Sequence, residues 1–182
     1  MPCSTSCPNR GNGCAVAGQH EHIHLGSYTN HQAPGPLEIT LRKADLTKEV
    51  LFNLTAESQI STGYMWITMG IYTEHEHATI LGNQESFYGE QLTMEFMRDA
   101  MKKGMEAHGI AVTPFSIYSG GAISGTERIH GIPVGSGEIS KAVLSVQNSI
   151  KEGNYYVHFG YVSAFRGQSI SLIRELVIKI LP

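Results

Sequence analysis

Cysteine is sparse in this chain, because Cys3, Cys7 and Cys14 are the three cysteines present and all lie in the first 14 residues. An odd number of cysteines confined to one end does not make a disulfide framework. No apolar run reaches about 18 residues, so no transmembrane helix is predicted. The first residues also lack a positive region followed by an apolar stretch, so no secretory signal is expected. A cytoplasmic location is therefore the expectation.

Charge is also sparse, since 16% of the residues are charged and the formal net charge is −3. The densest basic spot is the pair Lys102-Lys103, which is too little for a protein that binds nucleic acid through its phosphates. A surface with so few charges favours cover by partner subunits. We therefore expect a homo-oligomer that binds a small-molecule ligand, with no nucleic-acid or membrane partner.

The length of 182 residues suits one domain. Residues 1–36 are rich in glycine, proline, serine, asparagine, histidine and cysteine, and they end in the breaker sequence APGP. They show no sustained hydrophobic period. The sequence predicts an irregular arm over residues 1–36 and a single α+β domain over residues 37–182.

Hydrophobic alternation predicts the strands of that domain, and one long segment that is apolar on both faces predicts a central strand. Pro114 cannot donate a hydrogen bond to a neighbouring strand, so the strand that contains it is expected at an edge or with a bulge. The predicted strands cover residues 37–41, 50–56, 64–72, 110–118 and 155–165.

Apolar residues at helical spacing predict three helices, over residues 90–108, 138–152 and 168–181. Strands come first and then alternate with helices. The expected fold is a mixed β-sheet of about five strands with the three helices on one or both of its faces.

The first histidine cluster reads HEHIH, and in an extended chain His20, His22 and His24 point to the same side. Three imidazoles and a water molecule are the ligands of many catalytic zinc ions. A solvated arm that binds metal adventitiously is the simpler alternative. A structural zinc held by Cys3, Cys7, Cys14 and a histidine is another, and free thiols in an unstructured tail compete with it.

The second cluster, EHEH, directly follows the most apolar predicted strand. If the strand continues, Glu74 and Glu76 share one face while His75 and His77 share the other. The histidines are candidate metal ligands and the glutamates are candidate general bases. The alternative is a strand end at the surface with solvated charges.

A glycine-rich segment over residues 119–137 is the third feature, because backbone N–H groups in such a loop can bind an anion. Arg166, at a predicted strand-to-helix junction, is a further candidate anion ligand, and an ion pair with Glu175 or with a neighbouring subunit is the equal alternative. A mobile connection is the alternative, and we expect structural roles for His108 and His158. The candidate residues of the loop are Gly120, Gly121, Glu127 and Arg128 for ligand binding and His130 for catalysis.

These features together favour a metal-dependent enzyme, a hydrolase or lyase, that acts on a small polar or anionic metabolite. The histidine clusters would hold its cofactor, a divalent metal ion such as zinc. The alternative is a homo-oligomer that binds a metal or small ligand as a sensor or store and performs no catalysis. A shell or scaffold subunit that uses its arm as a packing strap is a third interpretation.

Overall fold

The computed structural model describes residues 21–29, 37–59, 62–80, 84–119, 138–163 and 169–182. A short 3-10 helix, Lys43–Asp45, follows the second strand. The regular elements in chain order are β1 (Glu21–His24), β2 (Glu38–Arg42), β3 (Val50–Ser58), β4 (Tyr64–Thr73), α1 (Glu74–Ile80), α2 (Gln84–Gln91), α3 (Met94–Lys103), β5 (Met105–Ala107), β6 (Ile110–Val112), β7 (Ser116–Ser119), β8 (Glu138–Val146), β9 (Gly153–Ser163) and β10 (Ser169–Leu181).

The strands form two sheets. The six-stranded sheet has the order β1-β3-β8-β6-β5, with β7 also paired to β8, and the four-stranded sheet has the order β2-β10-β9-β4. Both are mixed, because β1 is parallel to β3 and β2 is parallel to β10 while the other pairs are antiparallel. The predicted α+β class with a mixed sheet is confirmed, and three helices are present, although two of them lie at other positions than predicted. The expected number of about five strands is too small.

The main core lies between the two sheets. Alternate residues of each strand face it, as the two-residue period of a strand requires. Phe52 and Leu54 of β3 contribute from the six-stranded sheet, and Val157 of β9 and Leu176 of β10 contribute from the other. All four side chains are fully buried.

A second core lies on the other face of the four-stranded sheet, where helices cover it. Met69 of β4 and Val162 of β9 pack there against Tyr88 of α2 and Met97 of α3. The order of layers is therefore sheet, sheet, helices. Polar side chains of β9 and β10 that point away from the main core lie beneath this helical layer.

Two predicted helices are wrong. Residues 138–152 and 168–181 contain the strands β8 and β10 instead. Burial alternates along both segments, for example at Ala142, Leu144 and Val146 of β8. Their apolar residues satisfy the helical spacing as well as the strand spacing, and pairing with β3 and β9 decides the outcome.

The predicted helix over residues 90–108 is confirmed only in its middle, where α3 lies. Thr93 caps this helix, because its hydroxyl accepts a hydrogen bond from the Phe96 N–H at 3.0 Å. The helix ends at Gly104, which has a φ of 71°. The chain then turns into β5, so the last predicted turn of helix is a strand.

Pro114 interrupts the predicted strand over residues 110–118 and divides it into β6 and β7. Both pieces pair with the same edge of β8. Across the break, the Thr113 N–H still donates to the Val143 carbonyl at 2.9 Å. The expected irregularity at Pro114 is therefore present.

Part of the expected arm belongs to a sheet. Residues 21–29 are described, β1 pairs with β3, and Ile23 and Leu25 are buried in the main core. Residues 1–20 and 30–36 lie outside the described residues. Within the described ranges, no helix has the length and apolar character needed to cross a membrane.

Candidate functional site

The EHEH sequence forms the first turn of helix α1, so the expectation that it extends the strand is wrong. Thr73 and Glu76 form a reciprocal cap at this turn. The Glu76 N–H donates to the Thr73 hydroxyl at 3.2 Å, and the Thr73 N–H donates to Glu76 Oε1 at 3.0 Å. In a helix His75 and His77 no longer share a face. His77 is buried and His75 is exposed.

His77 meets two other titratable residues beneath the helical layer. Its Nε2 lies 2.7 Å from Glu175 Oε2, and the Nε2 of His158 lies 2.8 Å from the same oxygen. His158 is fully buried, whereas the Glu175 side chain is 36% exposed. We call His77, His158 and Glu175 the histidine–glutamate cluster.

The strand register places this cluster. His158 of β9 and Glu175 of β10 are directly paired residues on the face that points away from the main core. Tyr156, two residues before His158, lies on the same face. Its ring stacks on His77 with centroids 3.7 Å apart and planes 8° from parallel, which fixes the orientation of the imidazole.

Two tyrosines extend the cluster on its other side. The Tyr88 hydroxyl makes a short hydrogen bond with His158 Nδ1 and donates to the Tyr72 hydroxyl at 3.0 Å. Burial, above all, raises the pKa of Tyr88, so its hydroxyl stays protonated. Gly70 leaves room for this arrangement, because a Cβ at that position would lie 2.0 Å from the Tyr72 hydroxyl.

Glu175 is held in its charged form by the cluster. The hydrogen bond from His158 is the largest influence that lowers the pKa of Glu175, and the bond from His77 acts in the same direction. Burial of the carboxylate opposes both, because desolvation disfavours the charged form. The result is a carboxylate that accepts two histidine hydrogen bonds at a single oxygen.

The cluster also has the composition of a metal site. Its three ligand atoms, two imidazole nitrogens and a carboxylate oxygen, lie within 4.8 Å of one another. Among the described residues, it is the one group of three potential metal ligands whose ligand atoms lie this close together. Two histidines and a glutamate suit zinc and other divalent transition metals.

The first predicted metal site is partly described. His22 and His24 do lie on the same side of β1, because both rings bond to the Thr55 hydroxyl, at 2.8 and 2.9 Å. His24 Nε2 is also 3.8 Å from a Glu57 carboxylate oxygen. No third ligand among the described residues joins these two histidines. His20 lies outside the described residues.

The predicted bases Glu74 and Glu76 are exposed and make separate contacts. Glu74 accepts from the Asn154 amide at 3.1 Å, and Glu76 Oε1 lies 2.8 Å from His108 Nε2. The backbone N–H of Thr73 is the main cause that lowers the pKa of Glu76. The pKa of this candidate base is therefore shifted away from the neutral range in which a general base works best.

Several predicted site residues lie outside the described residues. Besides His20, they are Gly120, Gly121, Glu127, Arg128, His130 and Arg166. Of the predicted metal ligands that are described, His77 is the one that joins a cluster of three. His158 was expected to be structural, and Glu175 and Tyr88 had no predicted role at the site.

The connections that carry many of these residues leave the two sheets at one end. In the six-stranded sheet, Glu138 pairs with both Ser58 and Ser119. In the four-stranded sheet, Ser163 pairs with both Tyr64 and Ser169. Three connections therefore begin and end at the same end of the two sheets, which we call the loop-bearing end. They are residues 59–63, 120–137 and 164–168.

Aromatic residues join the two sheets beneath the loop-bearing end. The Tyr161 ring lies 5.5 Å from those of Tyr28 and Tyr64 and 5.2 Å from that of Trp66, between centroids. Its hydroxyl accepts from the Gln59 N–H at 3.0 Å. The described ends of connections 59–63 and 164–168 thus lie close to these packed aromatic rings.

No protein-family model and no curated protein matches this chain. Two solved structures are similar to it. One is PbICP-C in a complex with falcipain-2, at 18% identity, a TM-score of 0.41 and 93% coverage of both chains. The other is the solution structure of amebosin, at 10% identity and a TM-score of 0.40, with 90% of this chain and 99% of that chain covered. Similarity at this level carries no functional inference.

Proposed function

We propose that this chain is a binding module that recognises another protein through its loop-bearing end. The observation that carries the proposal is the arrangement of Ser58, Ser119 and Glu138 in one sheet and Tyr64, Ser163 and Ser169 in the other. Six strand ends from two sheets anchor three connections at one end of the sandwich. Loops on a rigid β-sandwich are a recurrent arrangement for protein recognition.

The sequence of these connections supports the proposal. Connection 120–137 combines many glycines with Glu127, Arg128 and His130, and connection 164–168 contains Arg166. Glycine allows close approach of a partner, and arginine is enriched at protein interfaces. The residues first considered as ligands for a small anion thus belong to segments that are suited to a larger partner.

Site-specific photo-crosslinking tests this function. A photoreactive amino acid is placed at position 128, 166 or 151 in the full chain. Lys151 serves as the control because it is exposed in the turn between β8 and β9, beyond Val146, which pairs with Val50 at the opposite end from Ser58. We expect the same protein adduct from positions 128 and 166 and none from position 151.

Measured affinities then decide the role of the arginines. For the crosslinked partner, Arg128→Ala and Arg166→Ala should each weaken binding about 10-fold, the effect of losing roughly 1.4 kcal/mol, while Lys151→Ala leaves it unchanged. Equal adducts from all three positions, or equal affinities for all variants, would contradict recognition through this end.

The second candidate function is a metal-dependent hydrolase or lyase, or a metal sensor. The observation that favours it is the pair of histidines that share the partly exposed carboxylate of Glu175. Turnover of a candidate substrate that survives chelation of the protein would exclude metal-dependent catalysis. Unchanged turnover in both Glu74→Gln and Glu76→Gln would exclude these residues as its base.

Self-association is a separate proposal that the small number of charged residues supports. Sedimentation at micromolar concentrations measures it directly. A species at the chain mass of 19.9 kDa throughout would contradict it.

A further inference from the structure

We propose that His77, His158 and Glu175 bind a divalent transition metal ion of the zinc class, with Tyr88 as the residue that orients His158. This site is distinct from the loop-bearing end. His158 precedes Ser163 by five positions along β9, which is about 16 Å of extended strand. The metal proposal therefore stands or fails separately from the proposed recognition of a protein.

The distances within the cluster are close to those that a metal needs. Zinc bonds of about 2.0–2.1 Å in tetrahedral geometry separate neighbouring ligand atoms by about 3.3 Å. The two nitrogens lie 2.7 and 2.8 Å from Glu175 Oε2. Each nitrogen has to move away from the oxygen by about half an ångström, which side-chain rotation can supply.

Each ligand comes from a different, well-supported element. His158 is in the middle of β9, between β10 and β4, so its backbone has sheet neighbours on both sides. The His77 ring is stacked on Tyr156. Glu175 is directly paired with His158. Such support matters because binding sites need ligands that are already held in place.

The tyrosine pair supports His158 as a metal ligand. The Tyr88 hydroxyl makes a short hydrogen bond with Nδ1 of His158 and is itself bonded to the Tyr72 hydroxyl at 3.0 Å. Nδ1 is thus occupied by Tyr88, and Nε2 is the nitrogen that faces Glu175. A second hydrogen bond at the other ring nitrogen is the usual support for a metal-ligating histidine.

Solvent reaches the cluster from the side of Glu175, whose side chain is 36% exposed, while the side chain of His77 is 8% exposed. An ion therefore has a route to the ligands, and a water molecule can take a fourth position. Three protein ligands and one water molecule are the arrangement of zinc sites that are open to exchange.

Metal titration of the full chain, stripped of metal by a chelator, tests the proposal. Zn²⁺ binding is measured by calorimetry, and Co²⁺ binding is measured by its visible absorption, which reports the coordination number. The variants are His77→Gln and Glu175→Gln, each checked for a cooperative thermal transition. We expect each of these two variants to bind one equivalent of metal fewer than the wild-type protein.

The matched control is His75→Gln, because His75 lies in the same helix turn but is exposed. A double variant, His22→Gln with His24→Gln, separates binding by the first histidine cluster from binding by this one. Both controls should keep the equivalent that His77→Gln loses. Tyr88→Phe should keep the stoichiometry and weaken affinity about 10- to 100-fold, as loss of a supporting hydrogen bond does.

Two results would overturn the proposal. One is wild-type stoichiometry in both His77→Gln and Glu175→Gln. The other is loss of all binding in the His22 and His24 double variant with the His77→Gln stoichiometry unchanged from wild type. Neither outcome depends on a substitution of His158, which is fully buried and whose loss could prevent folding.

Discussion

His158 and Glu175 face each other across β9 and β10, with Nε2 and Oε2 2.8 Å apart. This pair links a fully buried imidazole to a carboxylate that solvent can reach. The hydrogen bond is the largest of the influences that lower the pKa of Glu175. The stability of the protein should therefore depend on the charge of this carboxylate.

The first prediction concerns acid unfolding. A folded-state pKa below the unfolded value means that the stabilisation is complete above the ordinary glutamate pKa of about 4.3. It is lost as the pH falls through the lower folded-state pKa. Urea unfolding between about pH 6 and about pH 3 should show a smaller loss of stability in Glu175→Gln than in wild type. The exposed Glu152→Gln is the control, and parallel curves for wild type and Glu175→Gln would contradict the prediction.

The second prediction concerns the cap of helix α1. Thr73→Ala removes the hydroxyl that accepts from the Glu76 N–H, so it should lower the free energy of unfolding by about 1 kcal/mol. Thr79→Ala in the same helix removes an exposed hydroxyl that donates to the Glu76 carbonyl. It should change stability by less than about 0.5 kcal/mol. Equal effects in chemical denaturation would show that the cap is not what Thr73 contributes.

The sequence predicts the fold correctly where the hydrophobic pattern of a segment fits the period of a strand and not that of a helix. Strands β2, β3 and β4 follow the sequence prediction closely, because their alternating or wholly apolar character does not fit a helix face. Strands β8 and β10 were not predictable in this way. Residues such as Ala142, Val143 and Val146 fit both periods, and the choice depends on pairing with strands far away in sequence.

The site was predictable only in part, because it is assembled by register. The EHEH pattern marks His77 as a candidate ligand, and the Thr73–Glu76 pair in the same stretch is the sequence signal that a helix starts there. His158 and Glu175 are 17 residues apart in sequence. Their meeting depends on the bulge between Ile170 and Leu172 and on the β9–β10 alignment, neither of which the local sequence reveals.

The third prediction concerns Gly70, which lies beneath the Tyr72 ring. An alanine Cβ would be 2.0 Å from the Tyr72 hydroxyl and 2.3 Å from the ring carbon that carries it. Gly70→Ala should therefore displace Tyr72 and destabilise the protein by about 1–3 kcal/mol, the usual cost of overpacking. The displacement should appear as a change in the NMR signals of the His158 ring, because Tyr88 connects the two.

Gly89 is the control for that change, because a Cβ there meets nothing within 4 Å and the residue lies in helix α2. Gly89→Ala should raise stability by about 0.4–1 kcal/mol. Removing the obstacle tests the cause, so Gly70→Ala should cost much less in a Tyr72→Ala background. If Gly70→Ala lowers stability by the same amount in that background, the clash with Tyr72 is not the cause of the destabilisation.

The fourth prediction concerns Arg174, whose side chain is buried between the sheets. Its guanidinium donates to the Leu25 carbonyl at 2.7 Å and to the Ser27 carbonyl at 3.2 Å. Burial lowers the pKa of Arg174. Arg174→Met keeps much of the apolar volume but leaves these two carbonyls without their donor, so it should cost about 1–3 kcal/mol.

The effect should be concentrated in the segment that Arg174 holds. The Leu25 N–H, which donates to the Thr55 carbonyl at 2.7 Å, should exchange with solvent faster in Arg174→Met, while amides in the middle of β9 change only by the global loss of stability. Arg42→Met, at an exposed position of β2, should stay within about 0.5 kcal/mol of wild type. The segment after β1 that Arg174 holds contains Tyr28, whose ring packs against Tyr161 beneath the loop-bearing end. Arg174→Met should therefore also weaken binding of the crosslinked partner. Unchanged exchange at Leu25 would show that β1 is held by its pairing with β3 alone.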